Sequence, residues 1–297
     1  MTSLPHLDEL EISIFGVGVG ECIVVHLGEG DWLVVDSFIA PGSIEPIALE
    51  YLSSIGVAPT GIKRIVASHW HDDHIRGIAD LHSAATKAKF VCSHALTAIE
   101  FFTLLEASKR HPSQNRATNQ IQSVFEARIQ HHRKLDFASS NKTIYRREAS
   151  PLGSKTKCIV HALSPSSEAV LRMMRAIGKH LPSDGRTYTR PSGLSQNQAA
   201  VVLWIEFANI NILLGSDLEN WGSEDGGWSA IVVDDDKPTG TARVFKIPHY
   251  GSHNGDEARV WEKMLTPQPT AVLTPYSPSS LPTPADIRRI ATRTSEA

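Results

Sequence analysis

The segment Ser68-His69-Trp70-His71-Asp72-Asp73-His74 constrains this chain more than any other stretch. Four metal-ligand side chains, His69, His71, Asp73 and His74, fall within six residues. They lie between the apolar run Ile62–Ala67, which reads as a strand, and Ile75–Lys87, which reads as a helix. In extended chain, residues two apart project to one side, so His69 and His71 can chelate one ion. Asp73 and His74 come where the chain turns into the helix and can face a second. Imidazole with carboxylate suits zinc, iron or manganese and leaves positions open for water. One loop cannot complete two coordination spheres, so further ligands are expected at the ends of other strands.

Three other strand ends carry ligand-type residues. Trp32–Val35 runs into Asp36, Asn211–Leu214 into Gly215-Ser216-Asp217, and Val244–Ile247 into Pro248-His249-Tyr250-Gly251-Ser252-His253. Each alone also reads as a turn residue, a cap or a loop histidine. Four strands ending this way are what one edge of a sandwich requires if it holds a metal. Further strands are predicted at Glu11–Phe15, Cys22–Leu27, Phe90–Cys92, Cys158–Leu163, Ala200–Phe207 and Ala242–Ile247. Helices are predicted at Ile44–Ile55, with Ser43 as N-cap, at Ala95–Arg110, at Asn119–Leu135 and from Pro284 to about Thr292. Pro267 to Pro284 reads as a tail rich in Pro, Ser and Thr. The expectation is a single domain over 1–297, two sheets packed face to face, with a helical, basic insertion at 95–150.

Composition narrows the class. Hydrophobic residues make up 41% of the 297, enough for a large core and too many for a disordered chain. The three cysteines, Cys22, Cys92 and Cys158, lie far apart, which argues against a disulfide framework or a cysteine zinc site. No leader-like segment opens the chain and no apolar run approaches 18 residues, so the expectation is a cytoplasmic protein without a membrane span. The 14 histidines fit imidazole–carboxylate metal chemistry.

The pattern H-x-H-x-D-H, with Asp36 upstream and Asp217 and His249 downstream, resembles the metallo-β-lactamase superfamily. Within it, the chain is similar to the soluble domain of ComEC-type DNA-uptake proteins. Gly16–Ile23 resembles that branch's V-G-x-G-D-A-I, Asn197–Leu203 its N-x-x-S-x-V-L, and Phe245–Ser252 its L-K-x-x-H-H-G-S. Glu21, Ala200, Ser216 and Tyr250 depart from the usual Asp, Ser, Gly and second His. The resemblance implies an α/β (α+β) four-layer αββα sandwich and two divalent metal ions, zinc first and manganese second. It implies His69, His71 and a third ligand on the first metal, with His94, His161 or none in that third role. Asp73, His74 and His249 would hold the second metal, Asp217 would bridge both, and Asp36 would orient a ligand. Asp73, Asp36 and His253 are the catalytic candidates. Tyr250, Ser252 and His253 would bind a phosphate or protonate a leaving oxygen.

Charge suggests a substrate. The total, 29 Lys/Arg against 32 Asp/Glu, is close to neutral. Ala107–Arg147 nevertheless holds nine basic and two acidic residues, whereas Asp217–Asp236 holds seven acids and no Lys or Arg. The basic stretch, Arg128, Arg133 and Lys134 among it and extended by Arg172, Arg175, Lys179, Arg186 and Arg190, is either a solvated face or a phosphate-binding surface. The leading expectation is a phosphodiesterase or nuclease, DNA favoured, working through a metal-activated hydroxide. The alternatives are a hydrolase of a lactone, β-lactam, thioester or small phosphodiester, and a metal-poor module that binds nucleic acid or a partner protein.

Overall fold

The computed structural model describes residues 3–108, 116–150, 155–181 and 195–294. Two six-stranded sheets form the centre. The first runs in chain order: β1 (Glu11–Phe15), β2 (Cys22–His26), β3 (Trp32–Val35), β4 (Ile62–Ala67), β5 (Lys89–Ser93) and β6 (Asp136–Ala138). It is antiparallel from β1 to β3 and parallel from β3 to β6. The second holds β7 (Lys142–Arg147), β8 (Cys158–Ala162), β9 (Leu203–Phe207), β10 (Ile210–Leu214), β11 (Ala242–Lys246) and β12 (Leu265–Val272). It is antiparallel from β7 to β10 and parallel from β10 to β12.

Burial explains the layers. Every residue of β2 and β3 is buried, which a continuous apolar run achieves only when both faces of its sheet are covered. Ile23, Val25, Leu33 and Val66 of the first sheet meet Val160, Leu203, Ile205 and Ile212 of the second. On its outer face the first sheet packs against α1 (Ile47–Ser54), α3 (Ile78–Ala84), α4 (Ile99–Ser108) and α5 (Arg116–Gln130). The second is covered by α7 (Gly227–Val233), α8 (Ala258–Lys263) and α9 (Pro284–Ala291). Each fully buried aliphatic side chain of this kind contributes about 1.5–3 kcal/mol. The result is an αββα sandwich. Among the described residues no helix is long and apolar enough to cross a membrane.

The structure alters several expected elements. The helix expected at Ile75–Lys87 is two helices, α2 (Asp72–Ile75) and α3, because Gly77 takes φ +81° between them. Helix α1 begins at Ile47 behind Pro46, and Ser43 turns its hydroxyl to Glu50 without capping the helix. The stretch 95–150 is not wholly helical: β6 and β7 close one edge of each sheet, so the chain crosses from sheet to sheet there. Lys109, Arg110, Arg186 and Arg190 lie outside the described residues. Pro267 and Pro269 sit in β12, an edge strand, where a missing N–H is tolerated. Helix α6 (Ser167–His180) and helices α7 and α8 add to the expected set.

The pairing dictates where chemistry can gather. Strands β3 and β4 are parallel neighbours in one sheet, and β10 and β11 in the other. Each pair delivers two C-terminal ends side by side, those carrying Asp36 and His69, and those carrying Asp217 and His249.

Candidate metal centre

The loop after β4 is anchored from behind by Asp36. Its Oδ1 accepts the Ser68 backbone N–H at 2.7 Å, and its Oδ2 accepts the Ser68 hydroxyl at 2.6 Å. The same Oδ2 lies 2.8 Å from His74 Nδ1. Ser68 Oγ in turn lies 2.9 Å from His69 Nδ1. One buried carboxylate therefore holds His74 directly and His69 through a hydroxyl, turning both Nε2 atoms to the opposite side. Asp36, Ser216, His249 and Tyr250 all have positive φ, between 45° and 61°. Strained non-glycine residues concentrated after three strands mark a position the fold over-determines.

Two imidazole nitrogens face each other on the open side. His69 Nε2 and His71 Nδ1 are 3.0 Å apart. Burial, first, and the neighbouring imidazoles keep His69 well below its ordinary pKa; burial also lowers His71. Both rings therefore keep lone pairs. Nitrogens 3.0 Å apart can be neighbouring ligands of one ion with bonds near 2.0–2.1 Å. Asp217, almost wholly buried, places Oδ2 3.3 Å from His74 Nε2. Its Oδ1 is buried with no hydrogen-bond partner. Burial favours the neutral acid, but the His74 charge and bond outweigh it and hold Asp217 well below the carboxylate range. His74 is reciprocally raised: burial opposes its charge, while Asp217 and Asp73 favour it. The donor chemistry, two neutral imidazoles and an orphaned carboxylate oxygen, fits a divalent ion.

Tyr250 occupies the other half. Its hydroxyl donates to Asp73 Oδ2 at 2.7 Å and lies 3.0 Å from His74 Nε2. Burial, then Asp217, Asp73 and Glu21, push the phenol far above its usual pKa, so it stays protonated. The phenol thus touches both Asp73 and His74, two of the three residues expected on the second metal. His249 instead places Nδ1 2.9 Å from Asn254 Oδ1, and its Nε2 accepts from Asn197 Nδ2 at 3.3 Å. It lies near enough for its charge to oppose protonation of His69 and His71.

Other expected residues lie elsewhere. His161 lies within β8, 3.4 Å from Glu206 and 3.3 Å from Thr143, and His94 stacks on Phe137. Neither joins the His69–His71 pair in the described contacts. His253 is exposed, and Ser252 lines a small cavity beside Trp228, Phe245 and Trp261. Arg128 is buried and spent on the Lys134 carbonyl and on His82 Nε2, 3.2 Å away; Arg133 bonds the Thr86 carbonyl. These basic residues and Lys134 line a cavity of about 510 Å³ with Lys87 and Lys89. Lys89 starts β5 level with Arg64, whereas the histidine loop follows Ala67. The cavity and the histidines therefore lie toward opposite ends of the parallel strands, separated along them by at least about 10 Å.

The structure adds residues that the sequence reading does not assign. Glu21, His74 and Asp217 bring donor atoms within 4.8 Å of one another, as do Asp36, His69 and His74. Glu21 is paired with Lys246 Nζ at 2.5 Å and accepts from Thr274. Asn197 sends Nδ2 to Glu219 at 3.0 Å and leaves Oδ1 buried without a partner. Glu21, Asn197 and Lys246 all fall within the resembling segments, which is the signal that could have found them.

Residues 15–148 match the family model described as the metallo-beta-lactamase superfamily. No curated protein matches the chain. Among solved structures, the chain is similar to a HARLDQ-motif mutant metallo-beta-lactamase from Cronobacter sakazakii, at 14% identity and TM-score 0.41, over 79% of this chain and 75% of that one. It is similar to a Thermotoga maritima protein described as a putative metallo-beta-lactamase, at 12% identity and TM-score 0.39, over 70% and 78% of the two chains. It is also similar to AidC, a dizinc quorum-quenching lactonase, at 19% identity and TM-score 0.36, over 69% of this chain and 56% of that one. Likeness at this level says nothing of activity.

Proposed function

We propose that this chain, which carries a metallo-beta-lactamase superfamily domain over residues 15–148, is a metal-dependent hydrolase. The observation that carries the reading is the pair His69 Nε2 and His71 Nδ1, 3.0 Å apart and both neutral, beside the unpartnered Asp217 Oδ1. A divalent ion held there, zinc first and manganese second, supplies a Lewis acid for an electrophilic substrate and lowers the pKa of a bound water. The protein's part is positioning. Asp36 and Ser68 fix the His69 tautomer, Asp36 fixes His74, and the free oxygen of Asp217 accepts the ion.

The substrate class is a carbonyl or phosphoryl ester. Glu219, Asp217 and Asp73 make the surroundings of the histidines acidic, which favours a small uncharged ester, lactone or thioester. A phosphodiester, nucleic acid included, is the second reading. It rests on the 510 Å³ basic cavity, which only a polymer long enough to pass along the sheet reaches together with the histidines.

The test is purified protein loaded with zinc or manganese and assayed against lactone, thioester, β-lactam, phosphodiester, DNA and RNA substrates. The expected result is hydrolysis of at least one class, abolished by chelation and by His71→Ala. A wild-type activity that His71→Ala retains in full, or none with any substrate, defeats the proposal.

A further inference from the structure

We infer that the centre is built for one ion, with the Tyr250 phenol closing the second position. The inference rests on the hydrolase reading and specifies its metal site. The two side chains that would hold a second ion, Asp73 and His74, are already joined by one oxygen atom of the chain itself. The Tyr250 hydroxyl lies 2.7 Å from Asp73 Oδ2 and 3.0 Å from His74 Nε2. An ion bound by that carboxylate and that nitrogen has to displace it.

The phenol is not free to leave. Tyr250 is 1% exposed, and its ring stacks on Tyr276 at 4.7 Å and 14° between planes. Tyr276 is pinned by two backbone hydrogen bonds with Leu281, of 2.8 and 3.1 Å. Tyr250 has φ +53° and is followed by Gly251 at φ +81°. A Cβ at position 251 would come within 3.2 Å of Ile290 and 3.4 Å of Leu273, so the turn that aims the ring is itself packed.

The remaining carboxylate on that side is also taken. Glu21 is held by Lys246 at 2.5 Å and by Thr274. Elsewhere in the centre Asp217 Oδ1 and Asn197 Oδ1 are buried with no partner, while His69 Nε2 and His71 Nδ1 bond each other at 3.0 Å, a contact that one bound ion can replace. His249 Nε2 accepts from Asn197 Nδ2 at 3.3 Å. Beside Tyr250 the carboxylates are bonded to other parts of the chain, whereas Asp217 keeps one buried oxygen without a partner.

Zinc content decides the matter. Metal-free protein is titrated with zinc by calorimetry, and the dialysed product is analysed for zinc by mass spectrometry. Wild type is expected to take one equivalent per chain and His71→Ala none. Tyr250→Phe, which preserves the packing and removes the oxygen, is expected to stay at one. Tyr250→His, which supplies an imidazole at the blocked position, is expected to rise to two. Two equivalents in the wild type overturn the inference and leave the hydrolase reading standing. Loss of an equivalent in folded Tyr250→Phe, checked by circular dichroism, also overturns it, since the phenol would then be a ligand. No zinc or manganese bound by the wild type overturns both. If Tyr250→His fails to fold, wild type and Tyr250→Phe still decide.

Discussion

Lys246 Nζ stands 2.5 Å from Glu21 Oε1, and both side chains are shut off from solvent. The pair spans the two halves of the chain, since Glu21 precedes β2 in the first sheet and Lys246 ends β11 in the second. Removing one partner strands a buried charge, which costs about 3–5 kcal/mol. Lys246→Met is expected to lower the unfolding free energy by that order in urea titration. The double variant Glu21→Gln/Lys246→Met is expected to recover much of the loss. Equal destabilisation of single and double variants would show that the pair contributes nothing beyond its volume.

Asp36 touches no substrate-facing atom, yet it aims two imidazoles. Asp36→Asn removes a charged acceptor from the Ser68 hydroxyl and from His74 Nδ1. Loss of such a supporting group weakens metal binding about 10–100-fold. Zinc titration of the variant is expected to show that drop with circular dichroism unchanged. An affinity equal to wild type would mean the histidines are aimed by packing alone.

Gly20 has a steric role at the same site. A Cβ there would meet the Asp73 carbonyl oxygen at 2.6 Å and Phe38 Cβ at 2.8 Å. The close approach lets the Glu21 N–H bond that carbonyl at 3.0 Å. Gly20→Ala is expected to cost about 1–3 kcal/mol by overpacking and to weaken zinc binding by displacing the histidine loop. Thermal denaturation and zinc titration of the variant check this, and a melting temperature equal to wild type counts against it.

His82 sets a pH dependence far from the metal. Burial first, then Arg128, Arg133 and His131, depress its pKa to about 4. Its folded value lies below its unfolded one, so the unfolded chain binds the proton first as pH falls. The contribution is whole above about pH 6.5 and lost as pH drops toward 4, up to about 3 kcal/mol in all. Denaturant unfolding at pH 7 and pH 4.5 is expected to show a larger fall for wild type than for His82→Gln. Equal falls would remove His82 as the cause.

The basic cavity separates the two substrate readings. Replacing Lys87, Lys89 and Lys134 by Glu is expected to weaken binding of an oligonucleotide and reduce its salt dependence. Turnover of a small ester should not change. Oligonucleotide binding at wild-type strength in fluorescence anisotropy would leave the cavity without a role in phosphate recognition.

Much of this centre is legible before folding, for a definite reason. Asp36, His69, Asp217 and His249 each follow an apolar run, and strand ends are where such runs announce themselves. The direction of a side chain is not legible. His249 and Tyr250 are adjacent, and only the left-handed backbone at both decides that the phenol, not the imidazole, turns toward Asp73. Strands β6 and β7 escape notice because Asp136–Ala138 is three residues long and Lys142–Arg147 is largely polar. Pro267 and Pro269 disguise β12. Helix α6 does carry a readable signal: Val170, Met173 and Ile177 share one buried face behind the Ser166 N-cap. The basic count at Ala107–Arg147 does not tell how each charge is used: Arg128 is buried and bonded to backbone, and it lines the basic cavity with Arg133 and Lys134.

The paired delivery of parallel strand ends has a mechanical consequence. Neither sheet owns the donor set: His69 and His71 follow a strand of one, Asp217 a strand of the other. An ion seated among them is a rivet through the sandwich, and its binding free energy doubles as adhesion between the halves of the chain. Loading the site therefore raises resistance to unfolding in proportion to the logarithm of ion concentration over its dissociation constant. Prying the sheets apart, even with each core intact, ejects the ion.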